Sequence, residues 1–269
     1  MRRSRLCQAA AGTAAVLAAS LAAPVQARAA GPDYVALGDS YSSGTGAGSY
    51  DPASGDCQRS ANAYPRRWAA AHAHSSFAFA ACSGATTATV ASGQLGSLAA
   101  KTDLVSITVG GNDAGFARVM QTCVLQSATS CQNAVAGART FAEQTLPGRL
   151  DGLFAAIRRR SPSARVVVLG YPHLYTIVSG CVGIGNTKRT ALNSAADTLD
   201  QVAGAAARRA GFVFSDVRDE FAGHELCSGD GWINGVTVPL GSSYHPTAKG
   251  HANGYLPAFA GAVAPALAR

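Results

Sequence analysis

Four blocks of small and polar residues, widely spaced along the 269-residue chain, carry the chemistry open to it. The first, Gly38-Asp39-Ser40, ends the apolar run Tyr34 to Leu37. The others are Cys82-Ser83-Gly84-Ala85, Gly110-Gly111-Asn112-Asp113 and, far downstream, Ser243-Tyr244-His245-Pro246. Acyl transfer by a serine needs a hydroxyl, a base to take its proton, donors aimed at the developing oxyanion, and a group that holds the base in one tautomer. Ser40 offers the hydroxyl and His245 the base. Gly84 lets a backbone N–H approach the oxyanion with no Cβ in the way. Asn112 adds a neutral side-chain N–H, and the Ser40 N–H is a third donor. A turn serine and an incidental histidine are the bland alternative; all four blocks together argue against it.

These residues need a scaffold that brings them together. Tyr34 to Leu37, Phe77 to Ala81, Leu104 to Val109, Arg165 to Leu169 and Phe212 to Ser215 read as short, mostly apolar strands, as expected of strands buried on both faces. Helical patterns lie between them: Tyr64 to His74, Asp113 to Leu125, Asn133 to Arg160 with an interruption near Pro147-Gly148, and Lys188 to Ala210. In the last, Leu192, Ala195, Leu199, Val202 and Ala206 recur at three- and four-residue steps. This alternation predicts an α/β fold, a parallel sheet with helices on both faces. In such folds ligands bind beyond the carboxyl ends of the strands, which is where three of the four blocks fall.

Met1 to about Ala29 reads as a secretory leader: basic Arg2, Arg3 and Arg5, an apolar stretch from Ala9 to Ala23, Pro24, and a small-x-small site at Ala27-Arg28-Ala29. The apolar stretch is shorter than the roughly 20 residues of a spanning helix. Residues 30–269 are expected to be one exported domain without a membrane anchor. Losing the leader arginines brings the formal +7 to about +3. No basic tract interleaved with aromatics points to nucleic acid. The run Arg158-Arg159-Arg160 reads as a solvated helix end whose cations complement the macrodipole. Six cysteines remain, Cys57, Cys82, Cys123, Cys131, Cys181 and Cys227. In an exported chain they imply disulfides, in any of about 15 pairings. No Cys-x-x-Cys or Cys/His spacing suggests a metal site, so neither metal nor organic cofactor is expected.

The blocks Gly38-Asp39-Ser40, Gly84, Gly110-Gly111-Asn112-Asp113 and His245, in that order across nearly the whole mature chain, resemble the SGNH (GDSL) hydrolases. The strings A-L-G-D-S-Y-S-S-G, A-C-S-G-A, G-G-N-D-A-G-F and S-Y-H-P-T are similar to the secreted lipases and phospholipases of actinobacteria. The resemblance implies a three-layer α/β/α sandwich with a five-stranded parallel sheet, flavodoxin-like in outline. It implies Ser40 as nucleophile, His245 as base and acid, and Ser40, Gly84 and Asn112 as oxyanion donors. It also implies the pairings Cys57 with Cys82, Cys123 with Cys131, and Cys181 with Cys227. The first would tie the loop after the nucleophile to the loop of Gly84. Many members carry Asp three residues before the histidine, where this chain has Ser242. The resemblance therefore implies a dyad in which the backbone carbonyl of Ser242 or Ser243 orients His245. A monomeric lipase acting on medium- to long-chain acylglycerols is the expected function. Phospholipase A1, a carbohydrate O-acetyl esterase and a non-catalytic exported binding module are the alternatives.

Several residues invite other readings. Gly44-Thr45-Gly46-Ala47-Gly48 lacks the spacing and following helix of a dinucleotide site and reads as a flexible loop. Asp39 is expected to hold its turn through local backbone hydrogen bonds, and Asp113 to cap the helix after it. His173, His224 and His251 have no obvious partners in the sequence. Trp68 and Trp232 read as packing residues, Trp232 with a possible place at the pocket.

Overall fold

Parallel strands covered on both faces must be apolar throughout, and each of the five apolar runs forms a strand. They are β1 (Asp33–Gly38), β2 (Ser76–Phe79), β3 (Leu104–Thr108), β4 (Arg165–Leu169) and β5 (Val213–Ser215). The computed structural model describes residues 31–267, and the expected leader lies outside them. All strand pairs are parallel, in the order β2-β1-β3-β4-β5, with Val35 of β1 opposite Ala78 of β2 and Val105 of β3. Because the chain leaves β1 first to one side and then to the other, a crevice opens at the carboxyl ends of β1 and β3.

The helices are α1 (Ser40–Ser43), α2 (Tyr64–Ala71), α3 (Thr87–Gly93), α4 (Phe116–Leu125), α5 (Ala128–Gln144), α6 (Leu146–Arg160), α7 (Asn186–Arg209), α8 (Arg218–Phe221), α9 (Ala248–Gly250) and α10 (Leu256–Leu267). One layer is α10 on α2, β4 and β5; the other is α7 on β4 and β5, with α5 and α6 packed against it. The fold is thus the expected three-layer α/β/α sandwich. Tyr34 of β1 anchors the first layer: it is fully buried, packs against Trp68 and Phe259, and its hydroxyl lies 2.7 Å from Ser106 Oγ.

Element boundaries differ from expectation for local reasons. The helix from Tyr64 ends at Ala71 because His72 turns extended, its Nδ1 bonded to the Trp68 carbonyl at 2.9 Å. Thr145 separates α5 from α6, and Pro147 sits in the first turn of α6, where its missing N–H costs nothing. The helix expected from Asp113 begins only at Phe116, so Asp113 does not cap it. Its buried carboxylate instead accepts from the Thr87 N–H (2.8 Å) and hydroxyl (2.7 Å) at the start of α3, and pairs with Arg149.

Candidate active site

The strand β1 must stop sharply for Ser40 to face the crevice, and Gly38 makes that possible. Its φ is +121°, and a Cβ there would lie 2.5 Å from the Thr108 carbonyl oxygen. Buried Gln94 clamps the same residue, accepting from the Gly38 N–H and donating to its carbonyl, each at 2.8 Å. Asp39 follows as the cap of α1: Oδ1 accepts from the Tyr41 N–H at 3.0 Å and the Thr108 hydroxyl at 2.6 Å. Its Oδ2 accepts from the Tyr171 hydroxyl, which in turn accepts from the Gly111 N–H at 3.3 Å. Burial raises the Asp39 carboxyl to about 6, against the donors Thr108, Tyr171 and Tyr41. The turn is therefore tied to the ends of β3 and β4 as well as to local backbone.

Ser40 opens α1 with its hydroxyl 2.8 Å from His245 Nε2. His245 Nδ1 lies 3.0 Å from the Ser243 carbonyl oxygen. A carbonyl can only accept, so Nδ1 carries the proton and Nε2 accepts from Ser40. This chooses Ser243 over Ser242 as the hydrogen-bond acceptor. Burial lowers the imidazole to about 4, while the backbone of Ser243 and then Ser242 favours its charged form. Among the described residues no carboxylate is hydrogen-bonded to His245. Asp216 pairs with Arg218 and Asp230 with Lys249.

The histidine is held by its own loop. Tyr244 is left-handed (φ +63°), and its carbonyl accepts from the Tyr41 hydroxyl at 2.7 Å. Asn234 brackets His245, donating to its carbonyl from both backbone and side chain at 2.9 Å. Asn234 also donates to the Gly46 carbonyl at 3.0 Å, and a Cβ on Gly46 would lie 2.8 Å from His245 Cβ. The glycine-rich stretch is thus a tightly packed wall beside the histidine. Gly84, at φ +78°, lies in the loop that starts beside β1, where the Cys82 N–H donates to the Gly38 carbonyl at 3.0 Å. Asn112 Nδ2 donates to the Ala85 carbonyl at 3.0 Å, joining the second and third blocks. Its other amide hydrogen remains for a ligand.

An apolar cleft of about 750 Å³ opens beside Ser40 and Asn112, walled by Phe116, Leu174, Leu192 and Leu199. Trp232 is not among its lining residues; it packs on Phe221 and stacks on His224.

The geometry has counterparts. Residues 36–252 match the GDSL-like lipase/acylhydrolase family. The chain belongs to this family. The acylhydrolase is 53% identical over 267 residues to Lipase 1 of Streptomyces coelicolor, spanning 97% of this chain and 100% of that one. It superposes on the extracellular lipase of Streptomyces rimosus with a TM-score of 0.85 at 53% identity, covering 86% of this chain and 99% of that one. Phospholipase A1 of Streptomyces albidoflavus gives the same TM-score, identity and coverage. The chain is accordingly a carboxylic ester hydrolase, and a non-catalytic binding module is set aside.

The six cysteines form Cys57–Cys82, Cys123–Cys131 and Cys181–Cys227, with Cα separations of 4.0, 4.4 and 5.7 Å. The histidines without evident partners in the sequence have them in space. His173 lies 2.7 Å from Asp197, and His224 lies 3.4 Å from Asp230. His251 is fully buried, its Nδ1 accepting from the Tyr64 N–H at 3.3 Å. Arg158 is more than a solvated cation: it lies 4.8 Å over Phe212 and bonds the carbonyls of Pro162 and Ala164. Sequence reading missed Gln94, Thr108 and Tyr171. Thr108 and Tyr171 stand at strand ends, which was the available signal; Gln94 offered none.

Proposed function

We propose that Ser40 is the nucleophile of a two-residue catalytic unit with His245, and that the unit cleaves carboxylic esters of medium- to long-chain acyl groups. The observation that carries this reading is the Ser40–His245–Ser243 chain, 2.8 and 3.0 Å long, at the mouth of an apolar cleft. His245 takes the serine proton as Oγ attacks the ester carbonyl, then protonates the departing alcohol. The N–H groups of Ser40 and Gly84 and the Asn112 amide stabilise the oxyanion. Water, activated by the same imidazole, then releases the acid and restores Ser40. The Ser243 carbonyl keeps the proton on Nδ1 and supports the transient imidazolium, the work a carboxylate does in a three-residue triad.

The cleft's aliphatic and aromatic walls favour an acyl chain over a sugar. Acylglycerols are the first substrate class, in keeping with the lipases of Streptomyces coelicolor and Streptomyces rimosus. The likeness to phospholipase A1 supports phospholipid esters as the second. The leader pattern, three disulfides and the likeness to an extracellular lipase support secretion. A panel of esters of rising chain length, with phosphatidylcholine and acetylated xylan beside it, tests the assignment. Cleavage of long-chain esters is expected, and cleavage confined to acetyl esters refutes it. An organophosphate should label the wild type and leave Ser40→Ala unlabelled.

A further inference from the structure

Exposed apolar side chains scattered singly are ordinary, whereas a cluster marks an interaction surface. Seven of the eight large hydrophobic residues exposed among the described residues lie on three segments: Leu125; Ile177, Val178 and Val182; Val236, Val238 and Leu240. Val182 and Val238 are 96% and 90% exposed. The segments meet at a groove of about 940 Å³ that takes its walls from all three, including Val124, Val182 and Val236. Tyr244, which also lines it, immediately precedes His245, so this surface adjoins the catalytic site.

The same surface is nearly free of charge, Lys188 being the one charged side chain that lines the groove. No Asp, Glu, Lys, Arg or His occurs from Val119 to Ala138, from Thr176 to Thr187, or from Gly231 to Tyr244. The cations that follow the second segment are turned to backbone. Lys188 donates to the carbonyls of Cys123 and Gln126, and buried Arg189 donates to those of Cys181 (2.7 Å) and Val178 (3.3 Å). With the Cys181–Cys227 bond, these contacts hold the loop so that Val182 points to solvent.

We propose that this charge-poor apolar rim is the surface by which the hydrolase settles on an aggregate of electrically neutral lipid, bringing the adjoining catalytic cleft to its substrate. The occupant follows from the chemistry. A charged lipid surface or an acidic or basic protein would meet only Lys188, whose ammonium is already bonded to two backbone carbonyls, and a protein seated on the rim would stand against the catalytic entrance. The inference rests on the ester-hydrolase reading above, but the binding it describes needs no turnover.

The test is flotation of the full mature chain, carrying Ser40→Ala, with vesicles of phosphatidylcholine alone. The protein should float with the vesicles equally at low and molar salt, since apolar burial is not screened. Adding Val182→Asp and Val238→Asp should lower partition about tenfold or more, and Val182→Trp should raise it. In the Ser40 background the double aspartate variant should hydrolyse a soluble, monomeric butyrate ester as the wild type does. That result also certifies its fold. Unchanged partition in the double variant, or partition abolished by salt, overturns the proposal. Self-association in sedimentation that the double variant loses would assign the face to a second copy and equally overturn it. Failure of the wild type to cleave any carboxylic ester would sink the catalytic reading while leaving the flotation result to stand by itself.

Discussion

Replacing Tyr171 by Phe removes one hydroxyl and breaks two contacts that join three strand ends. In the wild type Asp39 is buried, with two donors on Oδ1 and the Tyr171 hydroxyl on Oδ2. The variant leaves Oδ2 without a donor and the Gly111 N–H without its acceptor. A hydrogen bond to a buried charged group contributes about 1.5–3 kcal/mol. At about 2 kcal/mol, Tm falls by roughly 4–8 °C for a domain of this size. The penalty depends on pH, because the unmet acceptor is a carboxylate. Asp39 has a folded value of about 6, above its ordinary 3.8. The stability its proton uptake supplies is therefore full below the unfolded value and lost as pH rises through about 6. Without Tyr171 the folded value rises further, so the deficit of the variant widens with pH. Melting curves at pH 5 and pH 8 should show the larger Tm loss at pH 8. Since Asp39 orients the Tyr41 N–H beside Ser40, kcat on a soluble ester should fall about tenfold with KM little changed. An equal Tm loss at both pH values refutes the argument that Tyr171 serves a buried carboxylate.

Three further outcomes follow from the site and its braces. If His245 is the proposed general base it works as neutral imidazole, and burial lowers it to about 4, so the acid limb of kcat/KM should be half-maximal near that pH rather than near 6.5. Asp216→Asn, Asp219→Asn and Asp230→Asn should each keep kcat/KM within about twofold, since none of the three carboxylates is hydrogen-bonded to His245, and Asp216 and Asp230 pair instead with Arg218 and Lys249. Replacing Cys181 and Cys227 by Ser together opens a bridge spanning 46 residues. Loop-closure entropy gives a loss of about 4 kcal/mol, read as a Tm lower by roughly 8–16 °C.

Sequence alone determined the layered α/β fold, because strands buried on both faces are apolar runs and the helices between them keep their own period. It also put forward Ser40, Gly84, Asn112 and His245 as the candidate site, since the chemistry of acyl transfer restricts residue type and the strand ends restrict position. The disulfide pairing came from resemblance, and the structure forms the same three bonds. What only the tertiary structure decided were contacts between residues far apart in the chain. Gln94 clamps Gly38 across 56 positions, and Tyr171 reaches Asp39 across 132. Neither pairing leaves a periodic or local trace, although the place of Tyr171 at a strand end marked that residue. Asp113 looked like the cap of its own helix because local spacing allowed it, yet its carboxylate found a better-placed pair of donors in Thr87. The choice of Ser243 over Ser242 lay equally beyond the sequence. Either carbonyl is close enough along the chain, and the left-handed turn at Tyr244, held by Tyr41 from the same helix as Ser40, decides which one meets His245.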